Sequence, residues 1–542
     1  MNILLVLIVL LGSALRLYDL SHLPISLFGD ELDVGYHAWS LITTLKDYTG
    51  HFLPTYIQSL SESRAPLLMY VVAPFVGLLG PSAFSVRLPI ALLGILNIIQ
   101  IYFLGRSLFP KSKVAILSAF ILAIMPWHIH YSRAAFEVTL LLTLILAGIQ
   151  LFISGQKKNF YFLLSPLPFI LSLYTYSTAN IYSPLLFLLL CWCYPPSSRG
   201  SILTWRSSIV PLIFYALLLS PLVFNLVIGR AGNRFSQISI FSDRKILDSV
   251  VLRRTTPWAK IDFIERLTNN KFLSYGGSWA GEYLKSFSPQ FLFISGDPEP
   301  RHSIGGFGEL LLLTLPFLIL GLIKSNKLLV GLLLISALPA SLTMGGGTHA
   351  TRLSLMIIPL TIITALGLSR FKRAIPIFSL ILFLNIFVYL AAFVKDYRFA
   401  SARAWHYGFQ QVFEKYIDLK PKGLTFVNNT YEPSLLRFAF FTKLPPKEFQ
   451  KQFTTDIPSE NIYPGFDGFK LGSVYFGSAR NFADFQELVK GTDNIYLAAQ
   501  LKEIPGNWDF SKTPPSGLIS LFQQHNLFGD LLFTWVGSVP NK

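Results

Sequence analysis

The chain has 542 residues, 52% of them hydrophobic and only 14% charged, with a mean hydropathy of +0.51. A soluble domain carries about a quarter charged residues, so this composition calls for lipid as solvent and excludes an ordinary soluble enzyme. The formal net charge of +16 could signal nucleic acid, but the Lys and Arg residues cluster between apolar runs, as the residues that orient membrane helices do; no nucleic-acid partner is expected.

In chain order, apolar runs near the ~20 residues that cross a bilayer lie at about 3–18, 84–105, 113–130, 138–154, 160–174, 181–194, 209–228, 308–323, 328–343, 353–369 and 374–394. The fold class expected is an α-helical polytopic membrane protein of about eleven spans. The first run lacks a basic leader and is read as an uncleaved span rather than a signal peptide. Basic residues fall in every second connection: Arg106, Lys111 and Lys113; Lys157 and Lys158; Arg199 and Arg206; Lys324 and Lys327; Arg370, Lys372 and Arg373. The positive-inside rule makes those five loops cytoplasmic, with the N-terminus inside and the C-terminus outside. Pro66 to Gly80 is also apolar, but counting it as a span would turn all five basic clusters outward. At about 15 residues it is short for a crossing and is expected as an interfacial or re-entrant helix.

Three larger external pieces follow from this parity, at 19–83, 229–307 and 395–542. In the last, polar residues, Pro and Gly alternate with short β-prone runs such as Leu424 to Val427 and Ser473 to Phe476. It reads as a soluble mixed α/β domain large enough for its own core, giving a membrane domain over 1–394 and a C-terminal domain over 395–542. The only cysteines, Cys191 and Cys193, lie inside an apolar run and supply neither a disulfide framework nor a zinc site.

Chemistry gathers in the external loops. The first carries Asp30, Glu31 and Asp33 within four positions, followed by Val34, Ala38, Leu41 and Leu45 at helical spacing, the pattern of an amphipathic surface helix with acids at its start. Such acids also suit a helix N-terminus for purely electrostatic reasons. The second loop holds His128, His130, Tyr131, Ser132, Arg133 and Glu137, and a third holds His349 and Arg352 beside a glycine run. Arg133 and Glu137, four apart, could form a helical ion pair. Ionisable groups near membrane depth are costly and mark functional sites. A sugar leaving a lipid phosphate needs a cation on the phosphate and a carboxylate for the acceptor's proton; Arg64, just before the interfacial helix, suits the first role. No phosphate-cradling GxxxxGK loop is present.

Three stretches, GDELDVGYHAW, SRAPLLMYVVAPFVGLLGPSAFSVRLPIALLGILNIIQIYFLGRSLF and PWHIHYSRAAFEVTL, resemble the GT-C glycosyltransferases of family 39, which include protein O-mannosyltransferases and bacterial aminoarabinose transferases. The resemblance covers residues 29–109 and continues to about 140, with GELLLLTLPFLILGL and HATRLSLMIIPL similar to later helices. It implies a GT-C fold and inverting transfer of a sugar from a polyprenyl-phosphate donor to an extracytoplasmic hydroxyl on a protein, a lipid or an envelope polysaccharide; no cofactor is expected, since related enzymes mostly need no metal, although the clustered carboxylates make a divalent metal possible. It also implies that Asp30 is the catalytic base, with Glu31 beside it. Arg64 stands where relatives often have Lys before Pro on the carrier phosphate; here the pattern is Arg-Ala-Pro. Asp33 stands where some relatives have Arg, and Arg133 and Glu137 match the second-loop motif. Arg64, Arg133 or Arg352 then balances the leaving phosphate, with His128, His130, Tyr131 and His349 as further substrate contacts.

Two rivals belong to other classes. A transporter or flippase for lipid-linked sugars needs ionisable residues at mid-helix and interrupted half-helices, whereas the charges here sit at helix ends. A non-catalytic envelope scaffold would use the first-loop acids only to cap a helix.

Overall fold

The computed structural model describes residues 3–59, 63–194, 215–216, 219–220, 237–255, 267–371, 373–429, 434–453, 459–499, 509–510 and 513–539. Helices stand over the expected apolar runs: α1 (Ile3–Leu17), α4 (Ala83–Leu108), α5 (Val114–Ile124) with α6 (Pro126–Tyr131), α7 (Glu137–Gly155), α8 (Asn159–Leu164) with α9 (Pro166–Leu173), and α10 (Ala179–Cys193). Beyond them come Leu312–Ile323, Lys327–Ser341, Ala350–Leu368 and Ile375–Ala400. The run expected at 209–228, and Arg199 and Arg206, lie outside the described residues apart from two short pieces. By length and composition, four described helices are long and apolar enough to cross a membrane: Ala83–Leu108, Glu137–Gly155, Ala350–Leu368 and Ile375–Ala400.

Local chemistry sets the boundaries. Ser82 and Ser85 form a reciprocal capping box at the start of α4, satisfying backbone N–H groups that the first turn leaves open. Met125 precedes Pro126 and is extended (φ −72°, ψ 121°), because a proline ring disfavours a helical residue before it. The second-loop residues His128 to Tyr131 are thereby lifted off the axis of α5 onto the separate turn α6.

Polar rungs tie the bundle together. Asn97 and Gln100 on α4 reach α7 at Thr139 and Thr143, and Ser107 reaches Gln150. The two helices thus run parallel, and the basic residues at their C-terminal ends, Arg106 in the last turn of α4 and Lys157 just past α7, emerge on the same side. Two glycines allow backbone contact between Leu315–Ile323 and the helix ending at Leu368: a Cβ on Gly321 would lie 1.8 Å from the Ile363 carbonyl oxygen, and one on Gly367 1.9 Å from that of Phe317. Ala350–Leu368 is buried almost throughout. Ile375–Ala392 buries only Ile375, Leu382, Ile386 and Tyr389 and turns Ile377, Leu380, Leu384, Phe387 and Val388 outward, an apolar face fit for lipid.

Between α1 and α4 lie α2 (Gly29–Thr44), α3 (Leu67–Leu79) and a hairpin of β1 (Ile57–Gln58) and β2 (Ser63–Arg64). At 13 residues, α3 rises about 20 Å, too little for a ~30 Å hydrocarbon core, in keeping with an interfacial helix. The hairpin pairs Ile57 with Arg64 and returns the chain to the start of α2.

The C-terminal region forms a seven-stranded mixed sheet in the order β4-β5-β6-β3-β7-β9-β8. Its strands are β3 (Thr425–Asn428), β4 (Ser459–Tyr463), β5 (Phe466–Leu471), β6 (Val474–Ala479), β7 (Ile495–Ala499), β8 (Leu518–His525) and β9 (Leu531–Ser538). The central β3 runs parallel to β6 and β7, so the two β-prone runs read from sequence are neighbours. This sheet is not a free-standing unit: one continuous core joins Leu32, Val34, Tyr36, Leu41, Met69 and Val72 of α2 and α3 to Phe409, Phe413, Phe438, Phe440, Phe449 and Trp535. Tyr36 donates to the Leu444 carbonyl at 2.9 Å, and Gln450 donates to Ser40 at 3.0 Å and to the Asp47 carbonyl at 2.8 Å.

Candidate active site

The three first-loop acids take three different environments. Phe28 is the N-cap of α2, and no side chain caps it; the acids of the first turn reach other groups. Asp30 accepts a hydrogen bond from Arg64 Nη2, and 44% of its side chain is exposed against 10% for Arg64. The β1–β2 hairpin delivers Arg64, whose Nε also lies 3.6 Å from Asp33 Oδ2. One guanidinium therefore bridges two carboxylates at the start of α2.

Asp33 points inward. It accepts from Ser59 at 2.5 Å and Tyr48 at 3.2 Å, and burial pushes its carboxyl above the usual carboxylate range, against the pull of Arg64 and the two hydroxyls. His37 lies one turn on, stacked on Tyr48 with ring centroids 3.9 Å apart, and burial pushes it down to about 3.

Glu31 is fully buried. Arg87 grips it through Nε–Oε1 and Nη2–Oε2 contacts of 2.9 Å each, and the Ala135 backbone N–H donates to Oε1 at 2.9 Å. Arg87 also donates to the carbonyls of Leu20, Pro24 and Ser26. This knot fastens α2, α4, the 20–26 segment and the second loop, and Glu31 is fully enclosed by the protein.

The second-loop residues spread likewise. Arg133 donates to the carbonyls of Leu15, Tyr18 and Leu23, closing the end of α1, where carbonyls lack helical partners. His128 meets Arg16 at 2.6 Å, and His130 Nε2 the Arg301 carbonyl at 2.6 Å. Tyr131 shares a 2.8 Å hydrogen bond with Thr351. Glu137 opens α7. Arg352 donates to Thr343 at 2.7 Å. The structure thus brings Asp30, Asp33 and Arg64 together, while His128 and Arg133 are buried in the scaffold.

Sequence reading missed a second group, the loop carrying Asp297, Glu299, Arg301 and His302. Arg301 lies over the Phe28 ring, 5.3 Å from its centroid, next to the turn bearing Asp30, and pairs with Glu299 at 3.0 Å. His302 pairs with Asp297 at 3.1 Å and tilts against His349 with centroids 4.7 Å apart. Burial and the neighbouring Arg352 push His349 down to about 3. Burial opposes ionisation of Asp297, yet His302 and the backbone N–H groups of Glu299 and Ala350 hold it below the ordinary carboxylate range. A signal was available: four ionisable residues in six positions, just before an apolar run.

Aromatic rings join the two groups. Phe28 meets Phe136 at 5.2 Å and Trp405 at 5.4 Å, and His302 meets Tyr131 at 6.2 Å and Phe136 at 5.8 Å. His406, from the C-terminal region, bonds Arg437 at 2.7 Å; burial, Arg437 and Arg301 all push its imidazole down while Asp30 opposes them. Buried aromatic rings thus separate an acid–arginine pair on one side from an Asp–His–His cluster on the other, and the half-exposed Asp30 with Arg64 can hold an anion or take a proton.

These groups sit where a bundle of apolar helices, an acid-bearing helix and a mixed sheet meet. The family model described as dolichyl-phosphate-mannose-protein mannosyltransferase matches residues 63–223. ArnT from Cupriavidus metallidurans, solved bound to undecaprenyl phosphate, is similar with a TM-score of 0.51 at 12% identity, covering 98% of this chain and 97% of that one; its apo state gives 0.50 at 12%, with the same coverage. The Archaeoglobus fulgidus oligosaccharyltransferase is a more distant likeness, with a TM-score of 0.44 at 14% identity over 78% of this chain, which spans 60% of that one. No curated protein matches in sequence. The family model spans less than a third of the chain, and the likeness to ArnT, at 12% identity, is one of fold.

Proposed function

We propose that the chain transfers a sugar from a polyprenyl-phosphate carrier to an acceptor hydroxyl on the extracytoplasmic side, with inversion at the anomeric carbon. The observation that carries this reading is the pair Asp30–Arg64 at the start of an interfacial helix, in a fold shared with a protein that binds undecaprenyl phosphate. The acceptor oxygen attacks the anomeric carbon as Asp30 takes its proton. The bond from that carbon to the phosphate oxygen breaks, and its electron pair leaves with the polyprenyl phosphate. Arg64 turns from Asp30 toward the incoming phosphate, which stabilises the leaving group and releases the carboxylate to act as base. Arg301, over the Phe28 ring, and Arg352 supply further positive charge. Glu31 and Arg133 hold the scaffold. The parity of the basic loops puts the N-terminus in the cytoplasm and the C-terminal sheet outside.

The test is transfer by the purified chain in detergent, with radiolabelled polyprenyl-phosphate sugars as donors, alongside mass spectrometry of envelope glycans from cells with and without the protein. A glycan lost without the chain and restored by it, together with label leaving the lipid fraction, supports the reading. Unchanged glycans and retained label overturn it.

A further inference from the structure

Asp297, His302 and His349 come from two loops yet offer ligand atoms that all lie within 4.8 Å of one another. Asp297 Oδ2 is 3.1 Å from His302 Nδ1 and 3.9 Å from His349 Nδ1. Donors on a tetrahedral ion with bonds of ~2.0–2.1 Å stand roughly 3.3 Å apart, so small side-chain rotations would close the set. Only the His302 contact is a hydrogen bond. His349 Nδ1 is buried with no hydrogen-bond partner among the described residues, and a buried polar atom left so calls for a ligand that would satisfy it.

The surroundings favour the same answer. Asp297 is oriented by backbone donors, Glu299 N–H on Oδ1 at 2.9 Å and Ala350 N–H on Oδ2 at 2.8 Å, as outer partners fix a ligating carboxylate. The His349 turn is braced by Glu282, which accepts from the Gly347 N–H at 2.8 Å. His349 keeps 26% of its side chain exposed and His302 13%, so the cluster opens to one side.

We propose that Asp297, His302 and His349 bind one divalent transition-metal ion of the zinc type, with at least one coordination position open. Two imidazole nitrogens and one carboxylate oxygen suit Zn²⁺ and its borderline neighbours, whereas Mg²⁺ and Ca²⁺ favour oxygen ligands. A plain His–Asp ion pair accounts for His302 but leaves His349 Nδ1 with no hydrogen-bond partner among the described residues. The sequence resemblance implies no metal; these residues, 52 positions apart in the chain at the extremes of the set, converge only on folding.

The full chain, purified in detergent and stripped with a chelator, is titrated with Zn²⁺ and, separately, Co²⁺. One ion per chain is expected, with a Co²⁺ ligand-field spectrum. His302→Gln and His349→Gln should each weaken binding at least tenfold and alter that spectrum while metal-free melting temperatures stay put, and His349→Asp should restore part of the affinity. Binding unchanged in both Gln variants, no uptake by folded wild type, or uptake lost on changing the exposed His22 instead would each overturn the site. Because metal uptake is read without turnover, its failure is distinct from failure of the transferase reading.

Discussion

Asp30 and Arg64 make the sharpest residue-scale case. Asp30→Asn keeps the shape but cannot take a proton, so turnover should fall by a factor of about 10² to 10⁴ while donor binding and melting temperature hold. Arg64→Ala should weaken donor binding as well as turnover, because a cation facing a phosphate acts in both ground and transition states. Measuring binding and turnover separately distinguishes the two; if Asp30→Asn keeps more than about a tenth of wild-type rate, a loss too small for a missing base, the base lies elsewhere. Glu31 behaves differently: Glu31→Gln leaves Arg87 buried without its counter-charge and should cost roughly 3–5 kcal/mol, seen as a lowered melting point, with residual activity where the protein still folds. Adjacent acids in sequence thus part company by environment, which spacing alone could not disclose: the family pattern singles out Asp30 with Glu31 beside it, whereas the Glu31–Arg87 knot bridges 56 positions.

His37 gives a pH prediction. Its imidazole is held down to about 3 by burial, against about 6.5 when unfolded, so between those values the unfolded chain binds the extra proton. Stability then rises with pH across that window, by up to about 1.4 kcal/mol per unit, and is lost as pH falls from 6.5 toward 3. His37→Gln should flatten that acid limb in melting curves taken over the window; an unchanged slope would refute the assignment.

At the scale of elements, hydropathy runs located the helices because apolar length is a local property. Pro66 to Gly80 is ambiguous by hydropathy alone, and the charge parity of its neighbours argues for an interfacial helix; in the structure α3 has 13 residues and packs on α2. Cysteine labelling should place positions 157, 199, 325 and 371 in the cytoplasm and 60, 270 and 450 outside. External labelling of 157 and 371 would break the parity and make α3 a crossing after all. The charged loop from Asp297 to His302 was legible as a cluster of ionisable residues, but its meeting with His349, on another loop and with no motif spacing, was not.

At the scale of the molecule, the expected division at residue 394 meets a core that spans it. Composition shifts mark where a chain leaves lipid, but they say nothing about what a soluble sheet rests on. Ending the chain at residue 394 would strip Phe409, Phe438, Phe440 and Phe449 from the faces of α2 and α3. At ~25 cal/mol per Å² of apolar surface, losing these large side chains removes more than a marginal fold can spare. The 1–394 fragment should be degraded or aggregated and inactive, as judged by membrane expression and size exclusion; a monodisperse, active fragment would show that the sheet is dispensable.

The hydrogen bonds from Gln450 to Ser40 join residues 410 positions apart. A ribosome adding ~5–20 residues per second therefore makes α2 roughly 20–80 s before its covering surface exists. During that wait Tyr36 and Ser40 lack the Leu444 and Gln450 partners they meet in the finished fold, so α3 gives α2 its early apolar cover and the bilayer surface acts as a temporary partner for the face the C-terminal region later takes.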